Sequence, residues 1–149
     1  MQNVELKSQE ARPTVQSQML PPSLRATTVW HSFGYAFAGI WYVYCTQRNA
    51  KIHVGIMSAV ILMGLFLQLS AAQWAILVVT IGLVLSGEMF NTVVEALVDL
   101  TSPEFHPLAK VAKDAAAGGV LLLAITGVIV GLFVLGPNLL EQIMALIMP

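Results

Sequence analysis

Glu88, Asn91, Glu95 and Asp99 recur at i, i+3, i+7 and i+11. At about 3.6 residues per turn, that spacing gathers them on one face of a helix. Three carboxylates and an amide in a row can accept a proton, ligate a divalent cation, or form an inert solvated strip. The flanking sequence helps to separate these readings. Upstream, Ala75–Gly87 carries no charged residue, so the row starts at the edge of an apolar run. A carboxylate at the centre of a bilayer helix costs about 2.5–3.5 kcal/mol on insertion scales, and less toward the interface. Glu95 and Asp99 alone would read as the polar end of a span. Glu88 sits deepest, one turn before Asn91, and a solvated strip explains it poorly. Ionisable groups at such depth usually face a protein interior or an aqueous cavity.

Lys113 and Asp114 form a second candidate cluster, after a short polar stretch. A lysine there can reach phosphate oxygens as a point charge, or it can snorkel to lipid headgroups. Asp114 in a first turn favours the helix dipole. Ala115–Gly119 is a run of small residues that permits close helix packing, within the chain or between copies. The single Cys45 excludes an intrachain disulfide and a thiolate cluster. His31, His53 and His106 are too scattered for a metal motif, and no Gly-rich P-loop or protein-kinase pattern is present.

The elements that must hold these residues are helices in a membrane. The chain of 149 residues is 57% hydrophobic and 10% charged, where soluble domains carry about 25% charge. A net charge of −1 gives no reason to expect nucleic acid binding. Residues 1–24 contain Glu5, Lys7, Glu10 and Arg12 with no apolar run. They read as a disordered cytoplasmic tail rather than a signal peptide.

Residues 25–137 follow as one membrane domain, and 138–149 as a short apolar tail. The first helix is expected from Thr28 to Gln47, capped by Thr27 or Thr28. Trp30, Phe33, Phe37, Ile40, Trp41 and Tyr44 share one face of it. Such a face suits either the bilayer interface or packing against other helices. Three spans come next, at His53–Leu69, Gln73–Leu100 and Lys110–Leu135. Gly136-Pro137 is expected to end the last one. The fold class is therefore all-α, with three transmembrane helices and an N-terminal interfacial amphipathic helix.

All seven Lys and Arg lie before the second helix or around the loop joining the third and fourth. The positive-inside rule then makes the N-terminus and the loop over 101–112 cytoplasmic. The acidic row would face the cytosol at one end and hydrocarbon at the other.

The run Glu88-Met-Phe-Asn91-Thr-Val-Val-Glu95-Ala-Leu-Val-Asp99 resembles the signature of prokaryotic diacylglycerol kinases. Ser102 to Lys110 and Ala112-Lys113-Asp114 continue the likeness, as does Gln47 to His53 upstream. The loop segments look particularly like the undecaprenol kinase branch from Gram-positive bacteria. The resemblance covers roughly residues 30–137. It implies a homotrimer in the cell membrane that transfers the γ-phosphate of ATP to a lipid hydroxyl. On the matching positions it implies Glu88 as general base, Asn91 and Asp99 as supporting residues, and Glu95 as a Mg²⁺ ligand. It also implies nucleotide contacts at Tyr35, Glu104, Phe105, His106, Lys113 and Asp114. The family's N-terminal basic position falls near Thr28, with Arg25 the nearest cation.

One departure matters. The resemblance implies that Gln47 stands where the better-studied members of the family have a glutamate that shares Mg²⁺ with the Glu95 position. An amide oxygen can ligate but brings no charge, and Mg²⁺ favours carboxylates and phosphates. Weaker metal binding is expected. Three readings therefore stand: an active lipid kinase acting on diacylglycerol or undecaprenol, a relative that binds MgATP without turnover, and a non-enzymatic membrane module such as part of a cation pathway. A transporter would more often show internal repeats or broken helices, and none is evident.

Overall fold

The computed structural model describes residues 28–148. The expected tail over 1–24, together with Arg25 and Thr27, lies outside them. Among the described residues the regular structure is entirely helical, in four elements: α1 (Val29–Thr46), α2 (Arg48–Phe66), α3 (Ala71–Thr101) and α4 (Pro107–Ile147). The chain divides into two compact units, one ending at Phe37 and one beginning at Ala38. α2, α3 and α4 all belong to the second. These three helices are long and apolar enough to cross a membrane, as expected.

α1 begins where Thr28 accepts the His31 N–H on its Oγ1, at 3.4 Å. Its aromatic residues Trp30, Phe33, Phe37 and Trp41 stay exposed. The helix stops at Thr46, and α2 starts at Arg48 rather than at His53. Arg48, Asn49 and Lys51 read as a loop because they are polar. Ala50 explains the difference, since it is only 4% exposed and anchors the first turn of α2. Gln47 is thus the single residue between two helices. Its backbone is extended, and its side chain does not cap α2.

The α2–α3 turn is fixed by leucines on alternate positions. Leu67 and Leu69 point into a core with Leu77, Val134 and Leu135. Gln68 between them takes a left-handed backbone, φ 53°. Ser70 then starts α3 with a capping box, exchanging hydrogen bonds with Gln73. Close approach here depends on Gly64: a methyl group on its Cα would lie 2.9 Å from the Trp74 ring. α3 and α4 form the most extensive helix pair. Gly87 lies against Leu123, and Gly127 against Val84 and Thr80. By contrast, Gly118 and Gly119 of the expected packing patch face open space within the protomer.

The expected end of the fourth helix is corrected. α4 runs through Gly136-Pro137 to Ile147. Pro137 removes one N–H and leaves the Phe133 carbonyl without its helical donor. Unwinding the helix would free several backbone groups, each costly in hydrocarbon. Continuing the helix forfeits only one bond, and Asn138 Nδ2 donates to the Val134 carbonyl at 2.7 Å beside the break.

Candidate active site

The acidic row runs from dry to wet along one face of α3. Glu88 is 2% exposed, Asn91 8% and Thr92 6%. Glu95 is part-buried, and the Asp99 side chain is largely exposed. The gradient follows from packing. Gly87 lets α4 press against α3 next to Glu88, and the first half of α2 covers the other side.

Glu95 is the hub. Asn91 Nδ2 donates to its Oε1 at 2.8 Å. Gln47 Nε2 lies 3.4 Å from its Oε2. The extended backbone at Gln47 aims that side chain across to α3 instead of back onto its own helix. With the Asn91 nitrogen engaged, Asn91 Oδ1 is buried without a partner. Asn91 also lines a cavity of about 240 Å³, together with Asn49, His53, Glu95 and four apolar residues of α4.

Glu88 lies deeper, against α2. His53 Nε2 approaches its Oε1 to 3.1 Å. The distance suits a hydrogen bond, but the ring N–H is not aimed at the oxygen, so Oε1 is buried without one. His53 also borders a second, larger cavity of about 370 Å³, whose walls are apolar and include Met57, Val60, Val84 and Leu132. The histidine stands where a polar space and an apolar one adjoin.

The remaining sequence candidates occupy the wet end. Lys113 Nζ contacts Asp99 Oδ1 at 2.5 Å, which brings two of them together across α3 and α4. Asp114 pairs with Lys110 one turn earlier on α4. His106 caps α4, its Nδ1 accepting the Leu108 N–H at 3.2 Å, with Pro107 at the first helical position. Glu104 and Phe105 are exposed in the loop between α3 and α4, and Tyr35 is exposed on α1. Among the described residues, no group of three or more His, Cys, Asp or Glu converges to hold a metal ion.

A family model described as prokaryotic diacylglycerol kinase matches residues 34–135, a stretch that contains the whole site. The chain belongs to that family. The chain is similar to an undecaprenol kinase from Bacillus subtilis, 43% identical over 108 residues, covering 72% of this chain and 88% of the relative. A diacylglycerol kinase from Synechocystis is 50% identical over 111 residues; the match covers 74% of this chain and 63% of that longer protein. The Escherichia coli K12 diacylglycerol kinase is 28% identical over 104 residues, covering 69% and 84%. Family membership makes this chain a membrane lipid kinase of the diacylglycerol or undecaprenol kinase type, and the non-enzymatic reading falls.

Spacing along α3 found every acidic member of the site but missed Asn49 and His53. These two sit at i and i+4 on one face of α2. The available signal was a polar pair at the mouth of an apolar span, at a depth that α3 fills with acids.

Proposed function

We propose that this chain transfers the γ-phosphate of ATP to the hydroxyl of a membrane lipid, diacylglycerol or undecaprenol, with Glu88 as general base. The observation that carries the reading is Glu88 itself. A carboxylate 2% exposed, in contact with a histidine that borders both an apolar and a polar cavity, suits a reaction between a greasy alcohol and a water-soluble nucleotide.

In this reading the lipid O–H bond breaks as its proton passes to Glu88. The lipid oxygen bonds to the γ-phosphorus, and the bond from that phosphorus to the ADP oxygen breaks. Little covalent work falls to the protein in such transfers; positioning and electrostatics supply most of the rate. Asn91 holds Glu95 in place through its Nδ2. Lys113 is held by Asp99 across an exposed pair. Such pairs contribute about 0.2–1 kcal/mol, so a polyphosphate can draw the lysine away. Glu104, Phe105, His106 and Asp114 lie near that end for nucleotide contact, and Tyr35 is a further candidate.

The donor set fits Mg²⁺ carried in by the nucleotide. One carboxylate, Glu95, and the amide oxygen of Gln47 suit an ion that keeps several waters and takes other ligands from phosphates. The Gln47 amide, whose Nε2 now faces Glu95, would have to turn to present that oxygen. When bound, the ion would offset negative charge on the phosphates. The basic residues support a cell membrane orientation with the N-terminus and the loop between α3 and α4 in the cytoplasm. The broad apolar surface left exposed on α2, α3 and α4 is compatible with lipid contact and with the homotrimer that the family resemblance implies.

Transfer from γ-labelled ATP in mixed micelles, with diacylglycerol and undecaprenol as separate acceptors, tests the proposal. Labelled phospholipid from either acceptor supports it and identifies the substrate. MgATP binding with no product from either would establish a relative that has lost turnover.

A further inference from the structure

We propose that His53 is a positioning residue for Glu88: its Nε2–H holds one carboxylate oxygen so that the other faces the lipid hydroxyl. The inference rests on the reading of Glu88 as base. It follows from which donors are left. Glu88 Oε1 is buried and lacks an aligned hydrogen bond. A buried ionised oxygen without a donor is costly, and charge-assisted hydrogen bonds offset much of that cost. The Asn91 nitrogen is engaged by Glu95, and the Gln47 nitrogen lies on the same carboxylate. Asn49 makes no hydrogen bond to Glu88. From α4, the residues lining the polar cavity are Ala117, Val120, Leu121 and Ala124, none with a donor side chain. His53, with Nε2 at 3.1 Å, is the donor in reach, and the bond needs its ring N–H turned toward the oxygen.

A base must keep its accepting oxygen within hydrogen-bond reach of the proton it takes. A carboxylate free to rotate offers either oxygen in either direction. Pinning Oε1 on α2 leaves Oε2 as the oxygen free to accept, and the residue that pins it borders both the apolar and the polar cavity. During transfer the lipid proton goes to Glu88 while the histidine keeps its own, so His53 acts through Glu88 and not on the substrate.

The test uses the full chain in mixed micelles, with His53→Leu and His53→Gln. Leucine fills the space without a donor, whereas glutamine carries an amide N–H to nearly the same point. We expect His53→Leu to lower kcat about 10- to 100-fold, the size of one hydrogen bond to a charged group. KM for ATP should change by no more than about twofold, and His53→Gln should restore most of the rate. Wild-type kcat in His53→Leu, or equal loss in both variants, overturns the proposal. Should the leucine variant fail to bind MgATP, His53→Asn replaces it: its shorter amide cannot reach, and a rate equal to that of His53→Gln overturns the proposal. In a Glu88→Gln background, His53→Leu should cost nothing further, and an additive loss counts against coupling. Full turnover by Glu88→Gln alone would remove the parent reading, whereas an inactive Glu88→Gln beside a fully active His53→Leu removes only His53.

Discussion

Leu77 and Glu88 are both 2% exposed and lie on the same helix, about three turns apart. Around Leu77 the chain packs Leu67, Leu69, Val134 and Leu135, and each gains contact from being enclosed. Around Glu88 the same helices enclose an acid, an imidazole and an amide whose oxygen has no partner. The first cluster locks the α2–α3 turn against α4. The second costs stability and has no packing rationale, because apolar residues of similar volume would serve a bundle at least as well. One end of α3 holds the bundle together, and the other end keeps a carboxylate out of water.

The comparison breaks most sharply at Glu88. Glu88→Gln keeps volume and shape and removes the proposed base. General-base loss typically costs about 10²- to 10⁴-fold, so phosphotransfer should fall by that range while MgATP binding, measured calorimetrically, holds. Thermal unfolding in detergent should show equal or higher stability, because a buried charge has gone. Turnover near wild type, or a collapsed fold, would mean that Glu88 belongs with the leucines as a structural element.

The reverse outcome is expected at the other end. Leu67→Ala should destabilise the protein by about 2–5 kcal/mol, as buried Leu-to-Ala changes do, read as a lower Tm. The folded fraction should keep its kcat. Lost turnover at unchanged Tm would show that the two ends are not separable.

How much of this division was legible in the sequence depends on what kind of signal each part leaves. The acidic row was fully legible, because period alone puts Glu88, Asn91, Glu95 and Asp99 on one face. The three spans were legible from hydropathy. Their ends were less so. Arg48, Asn49 and Lys51 look like a loop, and only burial of Ala50 reveals a helix start. Gly136-Pro137 looks like a stop, yet in an apolar setting the backbone keeps its helix. His53 left only the weak signal of a polar residue near the start of a span, because its place beside Glu88 depends on the α2–α3 pairing, a contact between residues far apart in the chain. His106 carried a polar signal that the structure accounts for as a helix cap.

A smaller effect sharpens the site end. Gln47→Glu would place a second carboxylate beside Glu95, where Gln47 Nε2 now lies 3.4 Å from Oε2. Two carboxylates at that distance repel unless a cation or proton intervenes. The variant should therefore lose some stability without Mg²⁺ and regain it on titration, since a ligand that binds only the folded state raises its Tm. The Mg²⁺ concentration for half-maximal transfer should fall by about tenfold, equivalent to about 1.4 kcal/mol. A Tm that ignores Mg²⁺ in both proteins would detach Gln47 and Glu95 from metal binding.

The smallest effect tests the structural end where it meets the proline. α4 passes Pro137 intact, with Asn138 Nδ2 on the Val134 carbonyl, and Val134 belongs to the apolar core. If that side chain supports the helix where the proline loosens it, Asn138→Ala should cost about 0.5–1.5 kcal/mol, one ordinary hydrogen bond. Pro137→Ala restores a backbone N–H at the break, so the loss from Asn138→Ala should shrink in its presence. Identical losses in both backgrounds would separate Asn138 from the proline. No loss in either would mean that Leu135 and Val134 hold this stretch by packing alone.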